Sequence, residues 1–244
     1  MPRTLTLTCL IVLLTACTPA SSPTPEPVSV TETATSTATF PAAETFTPVP
    51  TETPTATPPP VESLKAKVSA DKIICRYGPG ANYLYLIAFN KTTPVRLIGR
   101  TEGKNDWVLV ENGQQDCWVN SQLLDVKDGD PSMLHPVYPN EYKIPVSPYY
   151  GPTNVLSATR QGDQVTVTWS EVIVSPGKYE DANMFPYIVE VWFCQNGEII
   201  FDTIGSRVPF ITFTDELGCS QPSHGRVYIQ EKHGYAGPVE IPWP

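Results

Sequence analysis

The chain has 244 residues, with 25 acidic against 16 basic side chains, a formal charge of −9, and 27 prolines. The acidic excess, with no basic stripe, argues against nucleic acid or an anionic membrane surface as a charge-driven partner. Proline interruptions and short β-branched runs exclude long helices and favour an all-β chain.

Residues 1–16 begin with one basic residue, Arg3, followed by the apolar run Cys9 to Leu14 and then small residues. That order is the pattern of a secretory signal. The run is too short to cross a bilayer as a helix, which takes ~20 apolar residues. Leu14-Thr15-Ala16-Cys17 resembles the lipobox of bacterial lipoproteins. The resemblance implies cleavage before Cys17, lipid on its sulfur and further acylation. Two or more acyl chains, palmitate among them, anchor stably where one is marginal. The expected location is the cell envelope, held to the membrane by lipid and facing outside the cytoplasm.

Residues 17–62 are dominated by Thr, Pro, Ser, Ala and Glu, and no Lys or Arg occurs between Cys17 and Lys65. Such a segment buries too little apolar surface to offset its ordering entropy, so a disordered stalk is expected. Proline biases it toward polyproline conformations, with a fully extended reach on the order of 130 Å.

Four cysteines follow the signal: Cys75, Cys117, Cys194 and Cys219. They allow three pairings. If the proline-rich stretch 127–152 is a linker, Cys75–Cys117 and Cys194–Cys219 are the natural pairs, and export favours their oxidation. No pair has close C-x-x-C spacing and the histidines are scattered, so no metal site or cofactor is expected.

Within 63–126, short strand-like runs alternate with turn signals. Lys65 to Val68, Lys72 to Cys75, Tyr83 to Ala88, Val95 to Ile98, Trp107 to Val110 and Cys117 to Val119 are separated by Gly78-Pro79-Gly80, Asn90-Lys91, Gly103-Lys104-Asn105 and Asn112-Gly113. So many strands in so short a span suggest a small, strongly bent barrel. Arg76-Tyr77-Gly78-Pro79-Gly80 followed by Tyr83 resembles the R-x-G-P-G-x-x-Y signature of bacterial SH3 (SH3b) domains. Trp107 to Val110 is similar to that family's W-x-x-V strand, and Cys117-Trp118-Val119 to its closing G-W-V segment. Cysteine replaces the usual residue before Arg76 and before Trp118, and both replacements fit one bridge between paired strands. The resemblance implies an SH3-like barrel that binds cell-wall peptides or glycans. Tyr77, Tyr83, Tyr85 and Trp107 are the candidate ligand-binding aromatics, since aromatic faces cover sugars and peptide backbones at low entropy cost.

The connector 127–152 mixes prolines with Tyr138, Tyr142, Tyr149 and Tyr150, which suggests packing against one or both neighbouring units. In 153–244, Gln164 to Trp169 alternates cleanly, and Tyr187 to Cys194 is longer and more apolar. Asn196-Gly197 marks a hairpin. Further strands are expected at Leu156 to Arg160, Glu198 to Phe201, Phe210 to Thr214, Gly225 to Glu231 and Val239 to Ile241, with a glycine-rich turn at His233 to Gly237. About seven such strands suit a β-sandwich. The Val165-Thr166-Val167-Thr168-Trp169 strand, the Tyr187 to Phe193 strand and Arg226 to Ile229 resemble a fibronectin type III or related immunoglobulin-like domain.

His224 and His233 flank one strand, with Asp215, Ser223 and Glu231 nearby in sequence, but a triad is defined by geometry. No G-x-S-x-G elbow occurs. The expectation is a non-enzymatic surface protein. It binds peptidoglycan or another wall polymer through the SH3b-like unit. The alternative is a structural, adhesion or accessory protein that contacts surface proteins through the sandwich.

Overall fold

The computed structural model describes residues 59–103, 105–137, 144–175, 182 and 184–244. The signal, Cys17, the stalk to residue 58, Tyr138 and Tyr142 lie outside the described residues. The described chain is all-β, in two lobes.

The first lobe carries β1 (Leu64–Val68), β2 (Lys72–Arg76), β3 (Tyr85–Asn90), β4 (Pro94–Arg100), β5 (Trp107–Val110), β6 (Cys117–Asn120) and β7 (Leu124–Val126). They form one antiparallel sheet in the order β3-β2-β6-β5-β4-β1-β7. The expected closed barrel is not formed. β3 and β7 are the two edges and share no ladder. Within the sheet, β2 meets β6 through the single pair Arg76↔Trp118, and register shifts at Cys75/Arg76 and Leu97/Gly99 bend the strands. Alternation decides the core: Leu64, Ala66 and Val68 point inward while Lys65 and Lys67 face water. Cys75 and Cys117 form a disulfide in the middle of that core.

The second lobe carries β8 (Val155–Gln161), β9 (Gln164–Trp169), β10 (Tyr187–Gln195), β11 (Glu198–Ser206), β12 (Phe210–Thr214), β13 (His224–Glu231) and β14 (Gly234–Glu240). A four-stranded sheet, β11-β10-β13-β14, faces a three-stranded one, β12-β9-β8. Val165, Val167 and Trp169 from one sheet pack on Val189, Val191, Val227 and Ile229 from the other. Asn196 and Gly197 both take positive φ (53° and 81°), the two-residue hairpin geometry that matches strand twist. A second disulfide joins Cys194 to Cys219.

One expected turn is a strand. Gly234 to Gly237 belongs to β14, and the chain reverses before it. Gly234 is there because the Pro145 carbonyl oxygen lies 2.5 Å from where a Cβ would stand. That close approach comes from the connector. Tyr235 N donates to Pro145 O (2.8 Å) and Ser147 N donates to Tyr235 O (2.8 Å), so the connector adds a short parallel bridge at Val146 to the edge of β14. Its earlier half is tied to the first lobe: Leu134 and Val137 are buried, and Val137 N donates to Arg100 O (2.7 Å).

Candidate binding groove between the lobes

Every second residue of β10 faces away from the sandwich core. Ile188, Glu190 and Trp192 stand on that outer face with Phe201, Thr203, Arg226 and Tyr228 of the adjoining strands. Most of this face is buried by the first lobe. The Gly78-Pro79-Gly80 turn and the chain that follows it dock there. A Cβ on Gly80 would stand 2.2 Å from Thr203 Oγ1, and one on Gly78 would stand 2.2 Å from the Tyr83 ring. Glycine at both places is therefore a packing requirement.

Tyr83 enters the joint and is 1% exposed. Its hydroxyl donates to Glu190 Oε1, and Arg226 Nε donates to Glu190 Oε2, so a fully buried carboxylate is held from both lobes. Burial raises the Glu190 carboxyl above its ordinary value, against the opposing pull of Arg226 and Tyr83. Burial raises the Tyr83 phenol well above its usual range, and Glu190 raises it further. Burial alone would lower Arg226, but Glu190, with Tyr228 and Tyr83 adding to it, raises it above its ordinary value and keeps the guanidinium charged. Around this centre, Tyr235 Oη accepts from Leu84 N (2.8 Å), Gln230 Nε2 donates to Asn82 O (2.9 Å), and Asn82 Nδ2 donates to Thr203 O (3.0 Å). Tyr83, Leu84, Ile188, Tyr228 and Tyr235 form one buried cluster spanning both lobes.

Beside the joint, the lobes part to form a groove of about 460 Å³. Asp106, Trp107 and Asn120 line it from the first lobe, and Phe193, Gln195 and Asp202 from the second. Trp107 is aimed by the start of β5, and its backbone N–H donates to Asn105 Oδ1 (3.0 Å). Asn105 Nδ2 also reaches Phe201 O across the groove floor (3.4 Å). Asp202 is exposed at the groove wall, and the protein on its inner side raises its carboxyl, partly offset by the Thr203 N–H.

The four aromatic candidates therefore have separate settings. Trp107 is half-buried and lines the groove. Tyr83 is consumed by the joint. Tyr77 is half-buried against the same inter-lobe cluster. Tyr85 stands on edge strand β3, 56% exposed, outside the groove. The residues on the second-lobe side were not among the sequence candidates. The only signal for them was the near-continuous apolar run of β10, which marks a strand covered on both faces.

A second concavity of about 370 Å³ surrounds Asp215 and the Cys194–Cys219 bridge. Asp215 is structural in its contacts. Its carboxylate accepts from Ser223 Oγ (2.6 Å), Cys194 N (2.7 Å), Trp243 Nε1 (3.1 Å) and Arg160. Burial would raise it, but these donors together hold it below the usual carboxylate range. The Ser223 hydroxyl is thus committed as a hydrogen-bond donor to Asp215. His224 stacks on Trp192 (4.6 Å, planes 6° apart), with Nδ1 3.4 Å from Pro222 O. Among the described residues, no group of three or more His, Cys, Asp or Glu is placed to hold a metal ion.

No protein-family model matches this chain, and no curated protein matches it.

Proposed function

We propose that this chain is a lipid-anchored, extracytoplasmic, non-enzymatic protein that binds cell-wall peptide or glycan in the groove between its lobes. The carrying observation is that groove: about 460 Å³, walled by Trp107 and Phe193, with amide and carboxylate side chains at its rim. Concave sites with aromatic walls and a few convergent polar groups are the usual form of a small-ligand site. Two disulfides support an oxidising location. The SH3b-like motifs support a wall polymer as ligand, and the pairing of sheets β11-β10-β13-β14 and β12-β9-β8 supports a fibronectin type III-like second lobe. The test is co-sedimentation of the soluble Cys17→Ser chain, started at the mature residue, with purified cell wall. Wild type should be retained and Trp107→Ala released with its fold intact by circular dichroism; failure of wild type to sediment would refute the reading.

A second reading, contact with surface proteins through the sandwich, is favoured by one observation. Leu156 (67% exposed) and Phe210 (50%) stand at the same end of the three-stranded sheet. It predicts protein crosslinks on intact cells that Phe210→Ser removes and Trp107→Ala leaves in place.

A further inference from the structure

We propose that the inter-lobe groove recognises a primary ammonium group on its ligand, using the carboxylates of Asp106 and Asp202 and the indole ring of Trp107. This deepens the wall-polymer reading and rests on it for the polymer, but not for the chemistry.

Three observations converge. First, each lobe contributes one carboxylate to the same cavity, and none of the described lining residues is basic. Neither carboxylate meets a basic side chain among the described residues: Asp106 Oδ2 accepts from the neutral amide of Gln122 (2.5 Å), and Asp202 Oδ1 from the Thr203 N–H (2.7 Å). Second, the apolar lining beside them, Phe193, Ile200 and Phe201, is joined by the half-buried Trp107 ring, and ring faces attract cations. Third, the remaining polar lining is side-chain amide, from Asn105, Asn120 and Gln195. A primary ammonium brings three donors that carboxylates can accept, whereas a quaternary ammonium brings none. The shared chemistry has two sources in a wall polymer: an amino sugar whose nitrogen is free, or the side chain of a diamino acid. A groove of this volume admits one such residue with part of its neighbours.

The experiment follows the Trp107 indole N–H signal by NMR in the soluble Cys17→Ser chain, assigned with Trp107→Phe. Probes are glucosamine against N-acetylglucosamine, and Nα-acetyl-lysine amide against Nα,Nε-diacetyl-lysine amide. At least one free amine should shift the signal saturably, its acetylated twin should not, and whichever amine binds names the source. Asp106→Asn and Asp202→Asn should each weaken binding at least fivefold. Raising salt should weaken it further, as screening demands. Equal shifts from amine and acetylated probes, or none from either amine, would overturn the inference with no variant needed. Parallel sedimentation uses native and chemically N-acetylated wall. Retention on both walls, lost in Trp107→Ala, would sink the ammonium claim and leave the wall reading standing. Amine binding without retention on wall would do the reverse.

Discussion

Replacing Arg226 with methionine would strand the Glu190 carboxylate inside the joint between the lobes. Glu190 is fully buried and Arg226 is 7% exposed, so solvent cannot take over the lost partner. Methionine keeps an unbranched apolar stem but loses the guanidinium, which also lies over the Trp192 and Tyr228 rings (5.4 and 5.6 Å to their centroids), so loss of the charge dominates the effect. Breaking a buried pair by removing one member costs about 3–5 kcal/mol. For a chain of this size each kcal/mol moves Tm by about 2–4 °C, so a fall of about 6–20 °C is expected. Removing all three polar partners together, Tyr83→Phe with Glu190→Leu and Arg226→Met, leaves nothing unpaired and should return to within about 2 kcal/mol of wild type. The sign with pH follows from burial, which raises Glu190 in the folded state. A raised carboxyl loses stability as pH rises through its folded value, and does so more steeply once Arg226 is gone. Arg226→Met should therefore recover part of its deficit as pH falls. Urea unfolding monitored by tryptophan fluorescence measures all of this. A loss below about 1 kcal/mol, or a triple variant as unstable as the single, would refute the account of the joint.

Gly80→Ala should cost about 1–3 kcal/mol by forcing its Cβ onto Thr203. Adding Thr203→Ala should recover at least half of that in thermal denaturation, which would report docking of one lobe on the other. Asp215→Asn should cost about 1.5–3 kcal/mol at neutral pH, since it weakens a carboxylate that accepts four hydrogen bonds or ion-pair contacts. Its folded pKa is depressed. That contribution is present above the ordinary carboxylate range and lost as pH falls through the folded value, so the two acid-unfolding curves should converge. The double variant Cys194→Ala/Cys219→Ala, which opens a loop with sequence separation 25, should lose about 3.5 kcal/mol in urea titration.

Local features were legible from residues alone. The run Lys65 to Val68 placed a strand, and alternation in Gln164 to Trp169 placed both a strand and its inward face, because a pleated strand turns successive side chains to opposite sides. Asn196-Gly197 placed a hairpin, and both natural cysteine pairs are formed. The glycine-rich stretch after His233 was misread as a turn. Gly234 is small to admit the Pro145 carbonyl, a neighbour about ninety residues away that no local rule can see. Of the candidate site, Trp107 was legible as an aromatic in a turn-flanked strand. Asp202, Phe193 and Gln195 were not, because they belong to the groove only through the position of the other lobe.

Sequence by itself determined that the described chain is all-β, since that depends on side-chain period and turn residues. It favoured one of three cysteine pairings only on the condition that 127–152 separates two units, and the structure forms that pairing. Sequence also marked Tyr187 to Cys194 as a longer and more apolar strand than its neighbours. Only the tertiary structure decided what covers it. The Gly78-Pro79-Gly80 turn and Tyr83 close over Glu190 and Arg226, which are adjacent across β10 and β13 but far apart in the chain. A buried charge can be satisfied only by groups that folding brings to it, and the groove beside it exists only because two separately readable lobes meet there.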